Sequence, residues 1–145
     1  MSSLARVRLR IAAAGVAAVG FCVGVPSAAA DNPICSANVC SFYSPSHKIS
    51  CELDYQRGPG MPDTTYCQIS SPRQQSVHMD PSGAFTVCTG ETCLGNSGLG
   101  QGTLAYGQTA DIGPFTCRSE VSGITCTVAS GRGFTISSSG ITPAG

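Results

Sequence analysis

Between Gly113 and Thr142 the chain reads GPFTCRSEVSGITCTVASGRGFTISSSGIT, two β-rich runs around a turn and a third run beyond a glycine-bracketed loop. Apolar and polar side chains alternate in these runs, the period of strands with one face buried. Placing Val121-Ser122 at the tip of the first turn sets Glu120 opposite Gly123, Ser119 opposite Ile124, Arg118 opposite Thr125 and Cys117 opposite Cys126. In a two-residue hairpin the tip-flanking pair is hydrogen-bonded, so counting outward makes Cys117/Cys126 a non-hydrogen-bonded pair. Such pairs hold their Cα atoms about 4.5 Å apart, within the reach of a disulfide. Val-Ser is not a preferred tip for this turn, so the register rests on the alternation alone.

The same period recurs upstream. Ile49, Cys51 and Leu53 alternate with Ser50, Glu52 and Asp54, and Thr64 to Ile69 can return antiparallel after the loop Arg57-Gly58-Pro59-Gly60-Met61-Pro62-Asp63, bringing Cys67 to Cys51. Two short runs follow, Ser76 to Met79 and Ala84 to Val87, split by the turn Asp80-Pro81-Ser82-Gly83. Cys88 to Cys93 reads as a tight turn closed by its own cysteines. The stretch from Gly95 to Gly102 carries four glycines in eight positions and reads as the most flexible part of the chain. Leu104 to Gly107 resumes a short strand, and Thr109 to Ile112 leads into the hairpin. No window shows a capped 3.6-residue apolar repeat. Short strands with turn signals every ten residues or so predict an all-β domain, a small disulfide-rich antiparallel sandwich or barrel. No internal repeat is visible in the sequence.

The first thirty positions have a different character. Arg6, Arg8 and Arg10 precede an apolar run from Ile11 to Val25, and Ala28-Ala29-Ala30 supplies an A-x-A cleavage site, the pattern of a secretory signal peptide. The run is shorter than the roughly 20 residues of a membrane span. Phe21 before Cys22 is a poor lipoprotein context. Residues 1–30 are therefore read as a signal peptide, 31–41 as an N-terminal arm opened by Asp31-Asn32-Pro33, and 42–145 as one stapled β domain. The chain as a whole is formally neutral. Beyond residue 30 it keeps Lys48, Arg57, Arg73, Arg118 and Arg132 against all eight acidic residues. A mildly acidic chain with no basic cluster lacks the electrostatic footprint of a nucleic-acid or anionic-membrane binder.

Cys35, Cys40, Cys51, Cys67, Cys88, Cys93, Cys117 and Cys126 remain after the signal peptide. An even number in a small exported chain reads as a disulfide framework. The rival is zinc, because Cys35-x4-Cys40 and Cys88-x4-Cys93 fall within ligand spacing; an oxidising compartment favours disulfides. Eight cysteines permit roughly a hundred connectivities, of which nearest-neighbour pairing (35–40, 51–67, 88–93, 117–126) is the expectation. The staples matter in a domain with no Trp and only four Phe.

Phe42-x-Ser44-Pro45-Ser46-x-x-Ile49-x-Cys51, Leu104-x-Tyr106-Gly107, Cys117-x-Ser119…Gly123-Ile124-Thr125-Cys126 and Gly131-x-Gly133-Phe134-x-Ile136-Ser137 occur in that order. In this the chain resembles a family of small secreted actinobacterial proteins, well represented in mycobacteria, whose function is not established. The resemblance spans about residues 42–137. The family often has Gly-Asn where this chain has His47-Lys48, and a His where it has Arg132. The first departure bears on a positive-φ turn after Ser46, which glycine and asparagine adopt easily. The resemblance carries over no catalytic residue.

The candidates for chemistry are sparse. His47, Asp63 or Asp80, and Ser97 fall in the order His-Asp-Ser, and Gly95-Asn96-Ser97-Gly98 is weakly similar to the serine region of chymotrypsin-like proteases. That chemistry needs a base in contact with the hydroxyl and donors around an oxyanion, on two six-stranded barrels that this chain is too short to build. Gly98-Leu99-Gly100-Gln101-Gly102 lacks the strand and helix of a phosphate loop. His78-Met79-Asp80 offers two metal ligands without a third. Tyr43, Tyr55, Tyr66 and Tyr106 suit either a contact groove or the edge of the core. The sequence thus predicts no catalytic, cofactor-binding or metal-binding residue and no cofactor. Its leading functional reading is a secreted, non-catalytic module, extracellular or in the cell envelope, that binds a protein or envelope component through a braced loop such as 57–63. The alternative is a small secreted hydrolase whose site carries no recognisable motif.

Overall fold

A computed structural model describes residues 34–98 and 100–145; the segment read as a signal peptide and the start of the arm lie outside them. The architecture is two β-sheets around one core. The first sheet is built by β1 (Val39–Tyr43), β2 (Ile49–Asp54), β3 (Thr64–Ile69), β4 (Gln75–Met79) and β5 (Phe85–Thr89), each antiparallel to the next. The second is built the same way from β7 (Thr109–Ile112), β8 (Phe115–Glu120), β9 (Gly123–Thr127), β10 (Gly133–Ser137) and β11 (Gly140–Ala144). Between the two meanders the two-residue β6 (Gly102–Thr103) joins the far edge of the first sheet, parallel to β1. The sequence shows no repeat, yet the topology has one: two consecutive five-strand meanders, each with a disulfide joining its second and third strands.

The alternation explains the packing. Ile49, Cys51 and Leu53 of β2 and Thr65, Cys67 and Ile69 of β3 turn inward, as do Phe115, Cys117 and Ser119 of β8 and Phe134 and Ile136 of β10. Phe42, Phe115 and Phe134 are fully enclosed, each worth roughly 2–3 kcal/mol of burial. The sheets meet where Cys67 Sγ lies 3.9 Å from Cys126 Sγ, so the two central disulfides stack on each other across the core. Phe85 meets Phe134 nearby, ring centres 5.8 Å apart.

All four nearest-neighbour disulfides are present, 35–40, 51–67, 88–93 and 117–126. Cys117 stands opposite Cys126, with Cα atoms 4.1 Å apart and Glu120 opposite Gly123. Gly133 shows how closely β9 and β10 approach, since a Cβ there would overlap the Cys126 carbonyl and the Thr127 backbone. Three details differ from the sequence reading. β1 begins at Val39, inside the segment read as an arm, and the Ser41 amide donates to the Ile34 carbonyl at 2.7 Å. The strand expected at Leu104 to Gly107 instead lies at Gly102–Thr103, and the chain turns at Tyr106-Gly107. The positive φ after Ser46 is adopted by His47 itself, at 56°. Its ring stacks on Tyr43 at 4.9 Å and its Nε2 meets Thr103 Oγ1 at 3.1 Å, holding the turn.

Candidate functional site

On the outer face of the first sheet the strands present a polar grid: Ser50, Glu52 and Asp54 from β2, Thr64, Tyr66 and Gln68 from β3, Ser76 and His78 from β4. These are the residues left facing out when Cys51, Cys67 and Val77 turn inward. A single 3-10 turn, Glu91–Cys93, follows β5, and the chain then crosses this face to reach β6 at the opposite edge. The crossing segment is the glycine-rich stretch that sequence composition marks as most flexible, and the grid holds it. The Gly95 amide donates to Tyr66 Oη at 2.9 Å and to Gln68 Oε1 at 2.7 Å. Gln68 Nε2 donates to the Gly95 carbonyl and to Ser97 Oγ, both at 3.0 Å. Ser97 Oγ also meets Ser50 Oγ at 2.8 Å, and Gln101 Nε2 reaches Ser41 Oγ. Glycines let the backbone lie this close to side-chain amides and hydroxyls, which then satisfy its polar groups.

Beside this strap stands the β2–β3 loop, residues 55–63. Its base is closed by the Gln56 amide, which donates to Asp63 Oδ1 at 2.7 Å, with Gln56 at φ 48°. Arg57 folds back onto the grid and donates to Glu52 Oε1 at 2.8 Å and Asp54 Oδ1 at 2.9 Å. The Asp54 charge foremost, then the hydrogen bond to Glu52, raise the Arg57 pKa above its ordinary value, so the clamp stays charged. Exposed ion pairs of this kind contribute little to stability; their effect here is to fix the loop's direction. Within it the Met61 amide donates to the Gly58 carbonyl at 3.2 Å, and the Met61 side chain projects half exposed. The Cys51–Cys67 disulfide ties the two strands that carry the loop.

Two hollows open at the foot of the loop and share Thr64 and His78. One, of about 430 Å³, lies between the strap and the β2 and β3 strand ends that carry the loop, with Glu52, Asp54, Tyr66 and Leu94 in its wall. The other, of about 400 Å³, is more apolar and includes Pro62, Met79 and Phe85. The His78 ring leans on Tyr66, centres 4.6 Å apart. Amphipathic rings around shallow hollows suit contact with a partner surface.

The residues considered for chemistry are not brought together. His47 bonds Thr103, Asp63 accepts from Gln56, and Ser97 is held by Ser50 and Gln68. Asp80 accepts from the hydroxyl and amide of Ser82 in its own turn, and these two bonds lower its pKa below the usual carboxylate value. Among the described residues the one cluster of metal-ligand type is Cys51, Cys67 and Cys126, whose sulfurs are engaged in disulfides. Of the tyrosines, Tyr43 and Tyr66 lie on the outer face, Tyr55 packs over Gly113, and Tyr106 is exposed. The strap contacts were missed in the sequence, although unbroken polar residues at the outward parity of β2, β3 and β4 signal a polar face. Among the described residues no helix is long and apolar enough to cross a membrane. No protein family, curated protein or solved structure matches this chain.

Proposed function

We propose that the chain is a secreted, non-catalytic binding module that takes a protein or cell-envelope component on the β2–β3 loop and the hollows at its foot. The observation that carries this reading is the two-point bracing of the loop: the Gln56–Asp63 bond at its neck and the Arg57 clamp on Glu52 and Asp54. A loop ordered in advance loses less conformational entropy on binding, and this is how preorganised contact loops gain affinity. Met61, half exposed and next to the Pro62 that lines the more apolar hollow, then acts as an adaptable apolar anchor. Four disulfides support an oxidising, extracellular setting.

The experiment is photo-crosslinking from position 62, exposed in the wall of the more apolar hollow, in the oxidised protein, against cell-envelope and culture-filtrate fractions. It is run beside Met61→Asp and Arg57→Ala, with a serine-hydrolase and protease panel on the wild type. One dominant adduct, lost in both variants while their melting curves stay near wild type, is the expected result. An adduct insensitive to both changes, or reproducible turnover of any panel substrate, defeats the reading.

A further inference from the structure

Each sheet ends in free strands, and a free edge is a template for another strand unless something blunts it. Three of the four edges are blunted. β6 is two residues long. β7 carries Asp111. β11 carries Pro143: the pairs beyond the Ser138-Ser139 turn alternate from Ser137/Gly140, so Pro143 opposite Phe134 turns its nitrogen to the open side, where proline leaves no donor.

β5 has no such device. Its sequence, Phe-Thr-Val-Cys-Thr, is uncharged and free of proline, and Gly83 to Gly90 around it holds no charge either. The Asp80 amide bonds the Ala84 carbonyl and the Gly90 amide bonds the Gln74 carbonyl, which fixes the alternation along β4 and β5. Residues 84, 86, 88 and 90 face β4, and the backbone amides and carbonyls of Phe85, Val87 and Thr89 face outward. The strand also overhangs the second sheet, so Val87, on the inward parity, stays 44% exposed.

We propose that β5 is a self-association edge, pairing antiparallel with β5 of a second copy about a two-fold axis at Val87. In that register Val87 exchanges both backbone hydrogen bonds with its counterpart and Phe85 stands opposite Thr89. The two exposed valines cover each other on the overhang, and both first sheets join into one. The same register also pairs opposite charges. It sets the Glu91–Cys93 turn of each copy beside the Asp80–Gly83 turn of the other, and Arg132 packs directly against Gly83, so that a Cβ on this glycine would lie 2.8 Å from Arg132 Cβ. An isologous contact meets every group twice, so the Glu91–Arg132 complement occurs at both ends. The contact is a strand's length, which places it among weak, concentration-dependent interfaces.

Sedimentation of the oxidised, secreted protein from about 10 µM to about 1 mM, a range that brackets weak association, reads it directly. The weight-average mass should climb from one chain toward two. On concentrating, amide exchange should slow at Phe85, Val87 and Thr89 and stay unchanged at Thr86 and Cys88. Val87→Pro removes an outward-facing donor and the exposed valine but no bond to β4, so it should keep the monomer's fold and abolish the climb. Glu91→Lys and Arg132→Glu should each weaken the association several-fold, and the two together should restore it. A mass of one chain throughout, an association that survives Val87→Pro, or slowed exchange elsewhere but not at the three outward amides would overturn the proposal.

Discussion

Removing the Cys51–Cys67 staple by Cys51→Ala with Cys67→Ala tests the energetics of the core. The bridge closes a sequence separation of 16 residues, for which the chain-entropy relation gives about 3 kcal/mol at 25 °C. Both sulfurs lie at the centre of the sandwich, Cys51 and Cys67 being enclosed and Cys67 touching Cys126 on the other sheet. Deleting two sulfur atoms there leaves a void of roughly 50 Å³, worth about 1 kcal/mol more if the sheets do not close over it. The expected loss is therefore about 4 kcal/mol. The same reasoning gives about 3.5 kcal/mol for Cys117→Ala with Cys126→Ala, whose separation is 9. It gives about 2.5 kcal/mol for the Cys35–Cys40 bridge, at a separation of 5 and with only Cys40 enclosed in the core. Removing both central bridges approaches the whole stability of a small domain, so that variant should be largely unfolded at 25 °C. Urea unfolding followed by far-ultraviolet circular dichroism suits a protein without tryptophan. Central variants within 1 kcal/mol of wild type, or a larger loss from the 35–40 pair than from 51–67, would refute the reasoning.

Three further outcomes follow from single residues. Thr65 Oγ1 is fully buried with no hydrogen-bond partner among the described residues, so the near-isosteric Thr65→Val should stabilise by about 1 kcal/mol in the same urea experiment. Gly133→Ala forces a methyl into the Cys126 carbonyl and the Thr127 backbone; it should cost about 3 kcal/mol or more, because the obstruction is backbone, and a melting curve near wild type would contradict the β9–β10 register. Asp80, held by Ser82, has its pKa lowered, so its turn contact is present above the ordinary carboxylate pKa and is lost as pH falls through the lower folded value. Its carboxyl carbon should show an NMR titration midpoint below that of an unfolded reference, and Ser82→Ala should move that midpoint back up.

The local parts of this fold were legible because their information is local. A period of two along Phe115–Glu120 and Gly123–Thr127 fixes which side chains share a face, and one tip assignment then places Cys117 on Cys126. The same logic brought Cys67 to Cys51. The strap was illegible for the converse reason. Gly95 and Ser97 are ordered by Tyr66, Gln68 and Ser50, which lie 27 to 47 positions away along the chain, whereas composition reports only backbone freedom. The parallel pairing of β6 with β1 is equally non-local, and two residues leave no periodic trace. His47 takes a conformation usually left to glycine or asparagine because Tyr43 and Thr103 hold its ring, contacts no residue-type preference contains. At the candidate site the loop 57–63 was visible as turn chemistry. Its bracing was not, since Arg57, Glu52, Asp54, Gln56 and Asp63 read individually as ordinary surface residues.

The brace, the strap and the stacked core all depend on two meanders that are each stapled between their own second and third strands. A non-reducing peptide map of the native protein tests this most directly. It should return 35–40, 51–67, 88–93 and 117–126 with no free thiol among these eight cysteines. A Cys67–Cys126 peptide, or any other bridge joining the two halves of the chain, would contradict it.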